Sequence, residues 1–137
     1  MKLNMNCVRD VLLFLESESY FVVNDLGDIE AIGSWFRSIC KSLAEYPPDV
    51  IYYTLSKLEE GGYIDMSTQW ADGFLNDCCV NYITLSGHEF LESIRDDDRW
   101  KRIKSGLSAI RNFSLSAISS IAEGVTSAAI TAYLKAP

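Results

Sequence analysis

Met5, Val8, Val11, Leu12 and Leu15 recur at three- and four-residue spacing, which predicts a helix over residues 5–18 with Asn4 or Asn6 as its N-cap. Tyr20–Val23 is a short β-branched and aromatic run, followed by a turn signal over Asn24–Asp28. Residues 29–46 are ambiguous: Trp35, Phe36, Ile39 and Leu43 fit a short helix, with a strand as the alternative. The next stretch is cleaner. Pro47-Pro48-Asp49 opens a helix whose buried face reads Ile51, Leu55, Leu58, and Gly61-Gly62 ends it in a left-handed turn.

Tyr63-Ile64 starts a strand, Asp72-Gly73 and Asn76-Asp77 offer turns, and Cys79 to Leu85 alternates as the returning strand. Ser86-Gly-His-Glu89 reads as a capping box, with Phe90, Leu91 and Ile94 facing inward behind it. At least one of Tyr52, Tyr53 and Trp70 is expected in the core. The expected fold is mainly α with a small β-hairpin (α+β): a winged-helix-like body followed by a C-terminal helical tail.

Beyond the body, Trp100, Ile103, Leu107 and Ile110 form a short heptad stripe, and Asp96-Asp97-Asp98 suits the positive end of that helix's dipole. The stripe loses phase near Asn112-Phe113-Ser114, where a second helix begins. Its larger apolar residues are Leu115, Ile118, Ile121, Val125 and Ala129. Beside them runs one small residue every fourth position: Ser116, Ser120, Gly124, Ala128, Ala132. Small residues in line let two helix backbones approach closely.

Charge divides the chain along the same lines. Residues 1–94 carry fifteen carboxylates and five bases, residues 95–112 six bases and three carboxylates, and the last 25 residues one of each. The organisation expected is an acidic winged-helix-like domain over 1–95, a basic connector helix over 96–112, and a neutral small-residue-rich helix over 113–137. Arg99, Lys101, Arg102 and Lys104 are a candidate patch for an anionic ligand, although docking of that helix onto the acidic body is the simpler expectation. Leu115, Ile118, Ile121, Gly124, Val125, Ala128, Ala129 and Ala132 are the candidate self-association surface, giving a homo-oligomer through residues 114–134. Eight polar residues between Phe113 and Leu134 argue against a membrane span.

Chemistry-bearing motifs are few. Cys7, Cys40, Cys78 and Cys79 contain no C-x-x-C pair, and His88 is the lone histidine, so no zinc set is expected. The thiols are read as reduced small hydrophobes. No nucleophile elbow, phosphate-binding glycine loop or dinucleotide fingerprint occurs, so neither an enzyme, a metal nor a cofactor is expected. The N-terminal apolar run Val11–Leu15 is too short for a signal-peptide core, which predicts a cytoplasmic protein.

Three segments resemble one family: Leu3-Asn-Met-Asn-Cys-Val-Arg-Asp-Val-Leu-Leu13, Leu58-Glu-Glu-Gly-Gly-Tyr-Ile64, and Ile83-Thr-Leu-Ser-Gly-His-Glu-Phe-Leu-Glu-Ser-Ile-Arg-Asp96 with Trp100-Lys101. That family is domain of unknown function 2513, small proteins associated with phages and prophages. The resemblance spans about residues 3–104 and implies a winged-helix-like body and a mobile-element origin, with no activity attached. At places where the family carries a Ser-Glu-rich helix start and a histidine, this chain has Pro47-Pro48 and Thr54.

A winged helix normally lays its third helix in the major groove and its hairpin on the backbone. Here the expected exposed residues of that helix include Asp49, Tyr52, Ser56, Lys57 and Glu60, of which only Lys57 is basic. The hairpin region Asp65–Asp77 has three aspartates and no Lys or Arg. Phosphate contacts need donors, and carboxylates repel phosphates. The expected function is therefore a non-catalytic interaction module, encoded by a phage or prophage. It self-associates through its last helix and presents an acidic face to a host or phage protein. A winged-helix DNA-binding transcriptional regulator is the alternative.

Overall fold

A computed structural model describes residues 1–136. The order is α1 (Met5–Glu18), β1 (Tyr20–Val23), β2 (Ile29–Ile32), β3 (Ser34–Trp35), α2 (Phe36–Ser42), α3 (Pro48–Glu60), β4 (Ile64–Ala71), β5 (Phe74–Ile83), α4 (Leu85–Ile94), α5 (Asp97–Ile110) and α6 (Leu115–Lys135). The chain is mainly helical with small antiparallel sheets, an α+β fold. It divides into two compact units, Met1–His88 and the residues from Glu89 onward, so the division falls within α4.

The first unit builds its core from α1, α2, α3 and the inner face of one sheet. Asn4 Oδ1 accepts the Cys7 N–H at 3.1 Å and so caps α1. Val8, Val11, Leu12 and Leu15 then lie fully buried, and α1 packs on α3 and β5. Ile51, Leu55 and Leu58 of α3 are fully buried as the periodicity requires. Thr54 joins them on that face, its Oγ1 donating to the Val50 carbonyl at 2.8 Å. Gly62 ends α3 with φ +79°, a conformation only glycine adopts freely.

The ambiguous stretch 29–46 contains both strand and helix: β2 pairs with β1, β3 with β5, and α2 follows directly. The β1–β2 turn is closed by Asn24, whose Oδ1 accepts the N–H groups of Leu26 (3.0 Å) and Asp28 (2.9 Å). The larger sheet runs β3-β5-β4, all antiparallel. Ser34, Met66, Cys78 and Val80 are on its buried face. Gly33 is held tight against β5, where a Cβ would stand 2.7 Å from the Val80 carbonyl oxygen and 2.9 Å from Cys79 Sγ.

Asp72 (φ +53°) and Gly73 (φ +81°) make the two-residue β4–β5 turn, the left-handed pair that suits the twist of a hairpin. The second turn expected at Asn76-Asp77 does not form. Both residues lie inside β5, which begins at Phe74 rather than Cys79 and ends at Ile83. Asn76 is instead a bulge: Gln69 pairs with Asp77 but Trp70 pairs with Leu75. Asn81 is a second bulge, and its Nδ2 donates to Asp65 Oδ1 (2.8 Å) and Ser67 Oγ (2.9 Å). Asn81 thus ties its bulge to two side chains of β4, while the turn-like Asn76-Asp77 pair is accommodated by the Asn76 bulge itself.

The capping box expected at Ser86 and Glu89 is also displaced. Thr84 is the cap: its Oγ1 accepts the Gly87 N–H at 3.1 Å and its carbonyl accepts the His88 N–H at 2.9 Å. The same hydroxyl donates to the Gly62 carbonyl at 2.6 Å, joining the end of α3 to the start of α4. Ser86 already lies in the first turn of α4, too late to cap it. Gly87 must be glycine, because a Cβ there would run into the Tyr63 carbonyl.

In the second unit, α5 and α6 pack on each other. Asp96 Oδ2 accepts the Arg99 N–H at 2.9 Å and caps α5, with Asp97 and Asp98 in its first turn. Trp100, Ile103 and Leu107 are buried, while Ile110, the fourth residue of the expected stripe, is exposed. Arg111 ends α5 in the left-handed region at φ +56°, and Ser114 Oγ accepts the Ala117 N–H at 3.1 Å to start α6. The segments read from sequence as a connector over 96–112 and a tail over 113–137 thus form one helical hairpin.

Candidate functional site

The exposed face of α3 meets the start of α2 and the far half of β4 through a row of rings. Phe36 and Tyr52 stand edge to face at 6.0 Å between centroids, and Tyr52 and Trp70 do so at 5.7 Å. None of the aromatic residues expected in the core is there: Tyr52 and Tyr53 are half-buried and Trp70 is 54% exposed. They pack against other surface rings because the inner face of α3 is already filled by Ile51, Thr54, Leu55 and Leu58. Trp35 (53% exposed) and Phe74 (73%) are exposed on the opposite face of the sheet.

Of the residues expected on this face, Asp49 and Glu60 are exposed and Tyr52, Ser56 and Lys57 are half-buried. Asp49 and Glu60 sit at opposite ends of α3, roughly 16 Å apart along its axis. Lys57 Nζ is 2.7 Å from Glu60 Oε2 and lies 5.5 Å from the centre of the Tyr53 ring. The nearby carboxylate holds its ammonium above the usual lysine range, so its charge is already answered within the helix. β4 and β5 carry no Lys or Arg, leaving Arg37 and Lys41 of α2 as the other bases among these elements. Sequence periodicity placed Tyr52 on α3 and Phe36 in a possible short helix, but no signal joined them to each other or to Trp70.

A groove of about 420 Å³ opens beside the rings, lined by Trp35, Phe36, Arg37 and the β5 segment Leu75–Cys78. A second, of about 460 Å³, lies on the outer sheet face between the β2 end and Ser67, Gln69, Asp77 and Asn81. His88 is exposed and lines a cleft of about 330 Å³ with Glu16, Tyr20 and Tyr82. No cluster of three metal-ligating side chains occurs among the described residues.

The cysteines are chemically quiet. Cys7 and Cys78 are buried, Cys40 and Cys79 half-buried, and all four are free. Burial raises the pKa of each thiol. Cys78 is pushed up to about 11, first by burial and then by neighbouring Cys79, Asp77, Glu59 and Cys40; its Sγ lies 3.5 Å from Met66 Sδ.

The expected self-association surface splits in two. Ile118 is fully buried, Leu115, Ile121, Val125 and Ala129 are half-buried, and Gly124, Ala128 and Ala132 are exposed. The larger side chains are used where α6 packs on α5, with Ile121 filling the space over Gly106. Ser116, Ser120, Gly124, Ala128 and Ala132 form a bare strip along the helix, and Ile130, Tyr133 and Leu134 are exposed near its end. α6 is also long and apolar enough, by length and composition, to cross a membrane. On α5, Lys101 and Arg102 are exposed and Arg99 and Lys104 half-buried; none makes an ion pair among the described residues.

The fold is that of a small α+β protein in which α3, the start of α2 and β4 bring three aromatic rings together at the surface. The chain belongs to the family described as "Hypothetical protein (DUF2513)", whose model matches residues 2–113. That match ends in the turn before α6. An uncharacterized protein of Haemophilus influenzae is 28% identical over 130 residues, covering 93% of this chain and 97% of that protein. No solved structure matches.

Proposed function

We propose that the protein is a non-catalytic interaction module, of phage or prophage origin, which offers the α3 and β4–β5 face to a protein partner in the cytoplasm and pairs with a second copy through α6. The observation that carries this is the row Phe36–Tyr52–Trp70, half-buried at its first two rings and open to solvent at Trp70. Exposed aromatic side chains in a cluster are what protein interfaces concentrate at their centres. A duplex would need cationic donors where β4 and β5 supply none.

The topology also supports a second reading. Three helices with strand order β3-β5-β4 are the arrangement of a winged helix, in which α3 would be the recognition helix. A DNA-binding regulator is therefore the competitor. For α6, the bare small-residue strip supports pairing over a membrane span, since a span would place the exposed Glu123 near its middle at a cost of roughly 2.5 kcal/mol or more.

Affinity capture from bacterial lysate with the full chain tests the face, using Tyr52→Ala/Trp70→Ser as the matched control. A protein retained by the wild type and lost by the variant is expected. A low-salt gel shift with random duplex that weakens steeply as salt rises would move the regulator to first place.

A further inference from the structure

β5 is a ten-residue strand paired with β4 along almost its whole length, but its other edge is covered only at Cys79 and Val80, by the two residues of β3. At Phe36 the chain turns into α2, which packs on β5 without pairing as a strand with its edge. From Phe74 to Cys78 no strand lies on that edge, and none of these residues has a further hydrogen bond among the described residues beyond the β4 ladder; the Cys78 thiol contact with Met66 aside. The groove of about 420 Å³ runs along this stretch, floored by Leu75–Cys78 and walled by Trp35, Phe36 and Arg37. An exposed strand edge is a template for another strand, and proteins that do not use one normally cover it.

We propose that this groove binds an extended, lysine- or arginine-bearing segment of a partner protein, which adds to the sheet as a strand against Phe74–Cys78. The inference rests on the proposed protein-binding face and specifies how it is engaged. Main-chain hydrogen bonds to β5 supply affinity, and the apolar walls Trp35 and Phe36 receive alternate side chains. Charge selects the occupant. Asp77 and Arg37 both line the groove and neither makes an ion pair among the described residues, so its own charges balance and the selection comes from the surrounding body, where carboxylates outnumber bases three to one. A second copy adding its own β5 would bring another Asp72 and Asp77 to the same edge, and like charges across paired strands are destabilising.

The probe is the capped hexapeptide alternating Lys and Val, titrated into the full-length isotope-labelled protein and followed by amide NMR. Shifts concentrated on Phe74–Cys78 and Phe36–Arg37 are expected. Methylating alternate peptide nitrogens removes two or three hydrogen bonds and should weaken binding about 10- to 100-fold. Asp77→Lys, an exposed change, should weaken the Lys/Val peptide several-fold and improve the Glu/Val peptide. Equal binding of the methylated peptide, shifts located elsewhere, or no binding at millimolar peptide would overturn strand addition. So would β5 resonances that broaden with protein concentration alone, which would make a second copy the occupant. If lysate capture still depends on Tyr52 and Trp70 while the peptide neither binds nor competes, only the strand mode fails and the binding face stands.

Discussion

α3 and α6 are both amphipathic helices, and they spend their apolar side chains differently. α3 has thirteen residues and buries Ile51, Thr54, Leu55 and Leu58 in a continuous stripe, so that its remaining surface is polar or aromatic. α6 has twenty-one residues, yet its buried set stops at Ala117, Ile118 and Ala122, and almost everything beyond Thr126 is exposed. One helix is finished by its own fold; the other has about a third of its length in solvent with apolar side chains on it. The contrast locates stability in α3 and, under the proposed function, association in α6.

The largest test of that contrast is a pair of matched truncations. Leu55→Ala should cost about 2–5 kcal/mol in chemical denaturation, because a fully buried side chain leaves a cavity. Ile130→Ala, 54% exposed on α6, should cost under about 0.5 kcal/mol. Comparable losses would mean that the end of α6 is folded against something within the chain.

A pH series comes next. The Cys78 thiol stays protonated in the folded chain up to about pH 11, whereas in the unfolded chain it ionises near pH 9.0. Its contribution is complete below pH 9, declines as pH rises between 9 and 11, and is gone above that. The loss should reach about 2–3 kcal/mol, and Cys78→Ala should remove that part of the slope.

Thr84→Val deletes the cap of α4 and the link to Gly62 together, and should lower stability by about 1–2 kcal/mol, whereas Ser86→Ala should change it by less than about 0.5. On α6, Thr126 Oγ1 is shielded from solvent with no hydrogen-bond partner among the described residues. Thr126→Val should therefore stabilise by about 1 kcal/mol. Ala128→Glu should leave the melting temperature unchanged and shift light scattering toward the single chain. Unchanged scattering would remove α6 pairing from the proposal.

Helices were legible wherever one face had to be buried: the spacing of Met5–Leu15 and of Ile51–Leu58 is enough to place α1 and α3. The β1–β2 hairpin gave almost no such signal. Phe21, Val23 and Ile29 are all more than half exposed, so no alternation marks which side of β2 faces inward. Asn76 misled because a bulge and a turn favour the same side chain. Ser86 misled because the local Ser-x-x-Glu pattern was satisfied, while the Gly62 carbonyl that makes Thr84 the better cap is 22 residues away. The aromatic face failed for a similar reason: no periodicity joins Phe36, Tyr52 and Trp70, which come from three elements.

The protonated state of the thiols reaches beyond folding. Alkylating agents and peroxides are attacked by the thiolate, and burial disfavours that anion at Cys7, Cys40, Cys78 and Cys79. Thiolate-directed alkylation at neutral pH should therefore be slow at Cys78, whose thiol is held furthest from its anion.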